Sequence, residues 1–339
     1  MSPALKPAPP FRRLAPIGLA LLVLPLLLTA PLRPAAPQER LQRTAPSGPH
    51  PPMYRYFHPE RTLDPTALIG TTLLAMAVLS GARRLLPRRV PLPLVRGTIS
   101  GGIVLMGWEA VSALGMVNPV LLPPPTLVLT KLAVYWQLGW LQAHALATLW
   151  RLALSFLLAF ASAVPLGILM GHLPRCAHFL EPVIHLLRVI PAPAWLPLSI
   201  LWFGLGNASA IFITWMGIFF PILINTLAAV QRIEPAQVET VLTFGGSRWD
   251  VMWQVTLPSA APEILTGTRI GLGIGWIVLL AAENAATLPQ AGLGWLILIA
   301  QTWLDTPVMM AGLMTICAAA FLMDLGLRQV DKRFALWKY

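Results

Sequence analysis

The chain has 339 residues, of which 56% are hydrophobic and 11% are charged, whereas an ordinary soluble domain is about 25% charged. Several apolar runs reach the roughly 20 residues that a helix needs to cross a bilayer, and the short alternating segments of a transmembrane β-barrel are absent. This composition excludes an ordinary soluble domain and predicts an all-α, polytopic helical bundle in a lipid bilayer. Basic cytoplasmic loops explain the net charge of +11 better than nucleic-acid binding does.

Residues 1–96 are predicted to form an N-terminal extension with two transmembrane segments. The first apolar run, Leu14 to Leu32, follows two arginines. It fits both a cleaved signal peptide and an uncleaved anchor, and its length favours the anchor. A proline-rich segment from Arg33 to Pro65 contains too much proline and charge to form a core. The second apolar run covers Thr66 to Ser80.

Six further spans are expected in the rest of the chain. In order they are Gly97–Met116, Gln142–Met170, His178–Phe203, Asn207–Gln231, Pro262–Ala286 and Thr306–Val330. The prolines of "NPVLLPPPTLVLTKL" forbid one continuous helix and predict an external loop with a short surface helix. Most of the 24 basic residues lie inside if the N-terminus is cytoplasmic, so we expect both termini to be cytoplasmic.

One organised stretch, "ETVLTFGGSRWDVMWQVTLPSAAPEIL", interrupts the apolar pattern from Glu239 onward. Pro235 can begin a short helix, and a carboxylate at Glu239, in its early turns, suits the helix dipole. Gly245 and Gly246 then allow a sharp reversal that residues with a Cβ atom would resist. The pattern predicts a cytoplasmic hairpin of two short helices.

The second helix of this hairpin is expected over Arg248–Val255, with Ser247 as its N-cap. Its two valines share one face, and Pro258 and Pro262 are expected to end the helix. Three large side chains flank the valine face: Trp249, Met252 and Trp253. The hairpin either merely joins two spans or docks into a groove on another protein, and its exposed aromatic residues favour docking.

This stretch resembles the EAA loop of ABC-importer permeases, whose pattern runs Glu-Ala-Ala, three residues, Gly, and ends near Leu-Pro. Glu239, Gly245 and the pair Leu257-Pro258 stand at the matching spacing. Further segments, "PAPAWLPLSILWFGLGNASAIFITWMGIFFPILINT", "GWIVLLAAE" and "GLGWLIL", are similar to the nitrate, sulfonate, taurine and bicarbonate branch of that family. The resemblance covers the chain from about residue 97 to its end.

Three positions of the loop depart from the family pattern. Thr240 and Val241 stand where alanines are usual, and Gly246 replaces a common alanine. These changes are small, and the assignment to the family does not depend on them.

The resemblance implies a MetI-like, type I importer fold for residues 97–339, with a cytoplasmic coupling loop at 232–262. In this family the loop forms a coupling helix that sits in a cleft of a cytoplasmic ATPase. The implied function is the permease subunit of an importer for a small anion, of the sulfonate and taurine or the nitrate and bicarbonate class. The implied contact residues are Glu239, Phe244, Gly245, Gly246, Ser247, Trp249, Met252, Trp253, Leu257 and Pro258.

The resemblance also implies the partners: an ABC ATPase subunit, an extracytoplasmic substrate-binding protein, and a second permease copy in the bacterial cytoplasmic membrane. ATP and magnesium are expected on the ATPase, since no glycine-rich turn followed by lysine occurs in this chain. An ion-gradient-driven secondary transporter and an intramembrane enzyme are the alternatives. His172, Cys176 and His178 lie close in sequence, but no HExxH or CxxC motif accompanies them, so we expect neither a metal nor a catalytic residue.

Ionisable side chains within predicted spans are costly in lipid and tend to face a partner or a cavity. The candidates for a substrate pathway are Arg188, Asn225 and Glu283. Arg188 could equally have a structural role. For Arg151 and Glu109 we favour structural pairing, with Glu109, Glu181 or Glu283 as the possible carboxylates for an arginine.

Three glycines of "GTRIGLGIG" recur at four-residue intervals, at Gly267, Gly271 and Gly275. Such a face of small residues lets two helices approach closely. We favour packing within the chain over a two-fold interface with a second subunit.

Overall fold

The computed structural model describes residues 73, 92–118, 120–286 and 292–335. Apart from Leu73, the two predicted N-terminal spans lie outside these residues, as does the proline-rich segment between them. Every described regular element is a helix, which confirms the all-α fold class.

Eleven α-helices follow one another along the described residues. They are α1 Leu92–Ala113, α2 Pro125–Gln137, α3 Trp140–His172, α4 Pro174–Val189, α5 Leu196–Phe203, α6 Asn207–Gln231, α7 Pro235–Thr243, α8 Arg248–Val251, α9 Leu257–Ala286, α10 Leu293–Thr302 and α11 Thr306–Ala335. A 3₁₀ turn, Ala192–Trp195, precedes α5, and a π-helical segment, Met252–Thr256, joins α8 to α9.

Among the described residues, four helical segments are long and apolar enough to cross a membrane: α3, α6, Arg248–Ala285 and Thr306–Gln329. The helix α1 overlaps the predicted span Gly97–Met116 but is not one of the four.

The expectation of one continuous span over His178–Phe203 is wrong. The chain instead forms a helix pair bent by 90° between Val189 and Ala192. Pro191 has no backbone N–H with which to continue a helix, and Ile190 before it is extended, with φ −75° and ψ 118°, as a residue before proline prefers. This pair counts as a fifth span if it crosses the membrane as one unit.

By its internal packing the chain divides into two compact units. The first contains the described residues up to Leu138 together with Ala300–Ala311, and the second contains Gly139–Ile299 and the residues from Gly312 onward.

In the first unit, α2 is not the surface helix that its proline-rich context predicts, because most of its side chains are buried. Glu109 of α1 caps its start by accepting hydrogen bonds from the Thr126 N–H at 3.2 Å and the Thr126 hydroxyl at 3.0 Å. Lys131 of α2 donates to Asp305 at 3.2 Å. Burial lowers the pKa of the Lys131 ammonium, and Asp305 opposes that shift.

In the second unit, α6 packs closely against both α3 and α9. A Cβ atom on Gly167 of α3 would come within 2.8 Å of Thr226, and one on Gly171 would come within 2.5 Å of Val230. Real Cβ atoms do not approach so closely, so these glycines let α3 and α6 touch at this turn.

The glycine row of α9 also faces α6. Cβ atoms on Gly267 and Gly271 would lie 2.9 Å from backbone oxygens of α6, and one on Gly275 would lie 2.8 Å from Ile218. In this chain the row therefore packs α9 against its own neighbour.

Candidate functional site

The hairpin predicted around Gly245 is present, and we call residues 235–256 the elbow. Helix α7 begins at Pro235 and ends at Thr243. Gly245 follows with φ +85°, a left-handed conformation that favours glycine. The Gly246 N–H then donates to the Val241 carbonyl at 2.9 Å, which closes the reversal.

Gly246 is required for a different reason, namely space. A Cβ atom there would lie 2.6 Å from Cγ1 of Val241 and 2.8 Å from its carbonyl oxygen. Val241 and Gly246, which both differ from the family pattern, are thus in contact with each other. Both the side chain and the backbone of Val241 therefore restrict the space at position 246.

The second half of the elbow begins with a capping box. The Ser247 hydroxyl accepts from the Asp250 N–H at 3.3 Å, and Asp250 accepts from the Ser247 N–H at 2.7 Å. These paired bonds satisfy backbone donors that the short helix α8 leaves open.

The expectation that Pro258 and Pro262 end this helix is wrong. The chain passes through the π-helical segment, in which the Leu257 N–H reaches the Met252 carbonyl, and continues directly into α9. Pro258 lies just after the π-helical segment, and Pro262 lies inside α9. A π turn contains one residue more than an α-helical turn, and here it keeps the helix continuous from α8 into α9.

Aromatic side chains cover the outside of the elbow. Phe244 is 89% exposed, Trp249 72% and Trp253 66%, whereas Val251 and Val255 are buried. Of the other predicted contact residues, Glu239 and Ser247 are exposed, and Met252, Leu257 and Pro258 are half-buried. The elbow therefore presents an apolar surface on a backbone fixed by a glycine turn and a capping box.

A groove of about 600 Å³ lies beside the elbow, between the α3–α4 and α6–α7 turns. His172, His178, Glu181 and Glu239 contribute its polar lining. The His172 Nε2 atom is also 3.0 Å from the hydroxyl of Thr256 in the π segment. Across the described ranges, no group of three or more His, Cys, Asp or Glu side chains could hold a metal ion.

The three pathway candidates have different surroundings. Arg188 is exposed on α4. Asn225 donates to the Pro221 carbonyl of its own helix at 2.8 Å, and Glu283 is fully buried. Arg151 has the structural role that we favoured, with its Nη1 atom 2.6 Å from Glu283.

Around this ion pair lies a larger cluster, here called the Glu283 network. The Thr148 hydroxyl lies 2.8 and 3.0 Å from the two Glu283 carboxylate oxygens, and the Gly294 N–H donates to that carboxylate at 2.9 Å. Asn207 accepts from the Arg151 Nε at 2.7 Å. The carboxylate is thus neutralised and hydrogen-bonded, as burial requires.

The same network caps the N-terminus of helix α10. Successive backbone N–H groups of Gly292 and Leu293 donate to His144 Nδ1 at 2.9 Å and to the Thr148 hydroxyl at 2.8 Å. A Cβ atom on Gly292 would lie 2.7 Å from the Glu283 carboxylate. Side chains of α3 and α9 therefore supply the N-terminal cap that α10 lacks in its own sequence.

Sequence reasoning missed Thr148, His144 and Asn207. A signal for two of them existed, because His144, Thr148 and Arg151 follow the four- and three-residue spacing of one helix face. Asn207 lies on another helix, and no pattern connects it to Arg151.

Comparison with known proteins gives consistent matches. Residues 163–336 match the family described as binding-protein-dependent transport system inner membrane component. The chain is 39% identical over 263 residues to the taurine transport system permease protein TauC of Escherichia coli, covering 74% of this chain and 91% of that protein. It is 31% identical over 247 residues to the putative aliphatic sulfonates transport permease protein SsuC of Bacillus subtilis, covering 72% and 88%.

Among solved structures, an inward-facing MetNI methionine ABC transporter aligns with 56% of this chain and 94% of its own, at a TM-score of 0.48 and 17% identity.

Proposed function

This chain belongs to the family of binding-protein-dependent transport system inner membrane components, and from that premise we propose how its elbow couples ATP hydrolysis to the import of a small anion. It is a multi-pass inner-membrane permease of an ABC importer and not an enzyme. Family membership likewise decides against a secondary transporter. ATP and magnesium bind on the separate ATPase subunit.

The exposed aromatic surface of the elbow carries this proposal. Phe244, Trp249 and Trp253 form an anchor of the kind that fills a groove on a partner protein. The capping box and Gly245 hold the anchor in one conformation, so little ordering entropy is lost on docking. Closure of two ATPases around ATP would then displace the elbow and the helix α9 that continues from it.

The substrate is a small oxyanion of the sulfonate, taurine or nitrate class. Relatives named as permeases for taurine and for aliphatic sulfonates support this assignment, and so does a shorter match, 34% over 154 residues, to the nitrate import permease protein NrtB of Leptolyngbya laminosa. An extracytoplasmic binding protein delivers the anion to a path between two copies of this chain. Both termini and the elbow lie in the cytoplasm.

A reconstituted transporter tests the docking role. In vesicles that contain the chain with its ATPase and a taurine-loaded binding protein, we expect Trp249→Ala/Trp253→Ala to abolish taurine uptake while the protein stays in the membrane. The matched control is Trp150→Ala/Trp303→Ala, because these tryptophans are similarly exposed, at 61% and 59%, but lie outside the elbow. Normal uptake by the elbow variant would refute the docking role.

A further inference from the structure

Helix α3 contacts the segment that runs from the elbow into α9 at two widely separated points. At one end, His172 Nε2 lies 3.0 Å from the Thr256 hydroxyl. At the other end, Thr148 and Arg151 hold Glu283. At 1.5 Å per residue, the two contact points on α3 are about 36 Å apart.

Between these points α6 packs closely against both α3 and α9. Helix α6 lies against α3 at Gly167 and Gly171 and against α9 at Gly267 and Gly271, and at each position a Cβ atom would fall under 3.0 Å from its neighbour. Close-packed interfaces of this kind shift between discrete arrangements rather than deform continuously. We therefore expect the three helices to move together as one block.

The π segment Met252–Thr256 interrupts the regular α-helical hydrogen bonding between the elbow and α9. Helices kink at π turns, so a displacement of the elbow could be lost there as local bending. Thr256 is the last residue of that segment and is fully buried. Its contact with His172 fastens the soft turn to the neighbouring helix.

We propose that His172 is a positioning residue for coupling. Through Thr256 it fixes the exit of the elbow to α3, so that movement of the elbow reaches α3 directly as well as through α9. Helix α3 carries that movement to the Glu283 network and the start of α10. The inference rests on the proposed function of the elbow and adds a second route by which its motion is transmitted.

The test measures the coupling ratio, which is taurine taken up per ATP hydrolysed, in the reconstituted transporter. His172→Ala and Thr256→Val each remove one partner of the contact. A single hydrogen bond of this kind changes an equilibrium by about two- to tenfold, so we expect each variant to lower the ratio by that factor while ATP hydrolysis continues. Because both act through one contact, the double variant should be no worse than the poorer single one.

Two control variants match these changes in chemistry. Thr266→Val removes a hydroxyl that donates within α9, to the Pro262 carbonyl, and His178→Ala removes the second histidine of the groove. Both should keep the normal ratio. Thr256→Ser retains the hydroxyl and should also keep it, which separates the contact from a general packing defect.

The outcomes are distinguishable. An unchanged ratio in His172→Ala and Thr256→Val, additive losses in the double variant, or a loss in Thr256→Ser equal to that in Thr256→Val would each overturn the second route. If the tryptophan variant of the elbow also transports normally, the proposed function itself fails. If that variant uncouples while the His172 and Thr256 variants do not, only the inference drawn here is wrong.

Discussion

Breaking the ion pair in the Glu283 network should destabilise the protein strongly. Arg151→Met would leave a buried carboxylate without its cation, while the Thr148 hydroxyl and the Gly294 N–H still donate to it. Removing one partner of a buried pair typically costs about 3–5 kcal/mol. Since these donors remain, we expect the lower end of that range, about 3 kcal/mol.

Adding Glu283→Gln should restore most of the stability that Arg151→Met removes. Glu283→Gln removes the charge but keeps an oxygen that can accept from Gly294, and a methionine beside it is a good apolar filler. We therefore expect Arg151→Met/Glu283→Gln to lie within about 1–2 kcal/mol of the natural chain. Either single variant should be less stable than the double one.

The assay is thermal denaturation of the purified chain in detergent. The measured quantity is the fraction of protein that remains monodisperse after heating to each temperature. A loss of about 3 kcal/mol lowers the midpoint by roughly 4 °C in a chain of this size. The control pair is Arg232 and Glu263, which are 3.6 Å apart with side chains 73% and 43% exposed. Removing it should cost at most about 1 kcal/mol. If the single losses simply add in the Arg151 and Glu283 double variant, the buried-pair reasoning is refuted.

Three further outcomes follow from the geometry. Gly246→Ala should impair uptake in the reconstituted transporter. Adding Val241→Ala should restore part of the uptake, because the clash with Cγ1 of Val241 at 2.6 Å disappears. If uptake is not restored, the two positions are independent. Gly292→Ala should lower the thermal midpoint about as much as Arg151→Met, since its methyl group would meet the Glu283 carboxylate at 2.7 Å. A midpoint equal to that of the natural chain would contradict the role of the Glu283 network in capping α10. A reporter fused after Tyr339 should be active only in the cytoplasm, and activity outside alone would reverse the topology.

Local features of the elbow could be predicted from the sequence because short-range rules determine them. A glycine pair, a serine before a helix and a proline at a helix start each act within about four residues. The reversal at Gly245 and the Ser247 cap follow directly from these rules.

The passage through Pro258 could not be predicted in the same way. Proline rules alone favour a helix end, but packing of Val255 and Thr256 in the core keeps the chain helical at the cost of a π turn. Tertiary burial outweighs a local preference there.

The partner of Arg151 was also beyond the sequence. Three carboxylates were open to it, and choosing among them requires the rotation and depth of separate helices. The spacing of His144, Thr148 and Arg151 identifies one face of α3 but does not say what that face meets.

The π turn between Met252 and Thr256 also determines the direction in which the tryptophans point. Such a turn holds one residue more than an α-helix of the same length, and each residue of an α-helix advances by about 100°. Deleting a single residue there would leave a continuous helix but swing Trp249 roughly a quarter-turn around its axis. One residue thus determines the direction in which Trp249 faces, and a family member without that residue would present this side chain about 100° further around the helix axis.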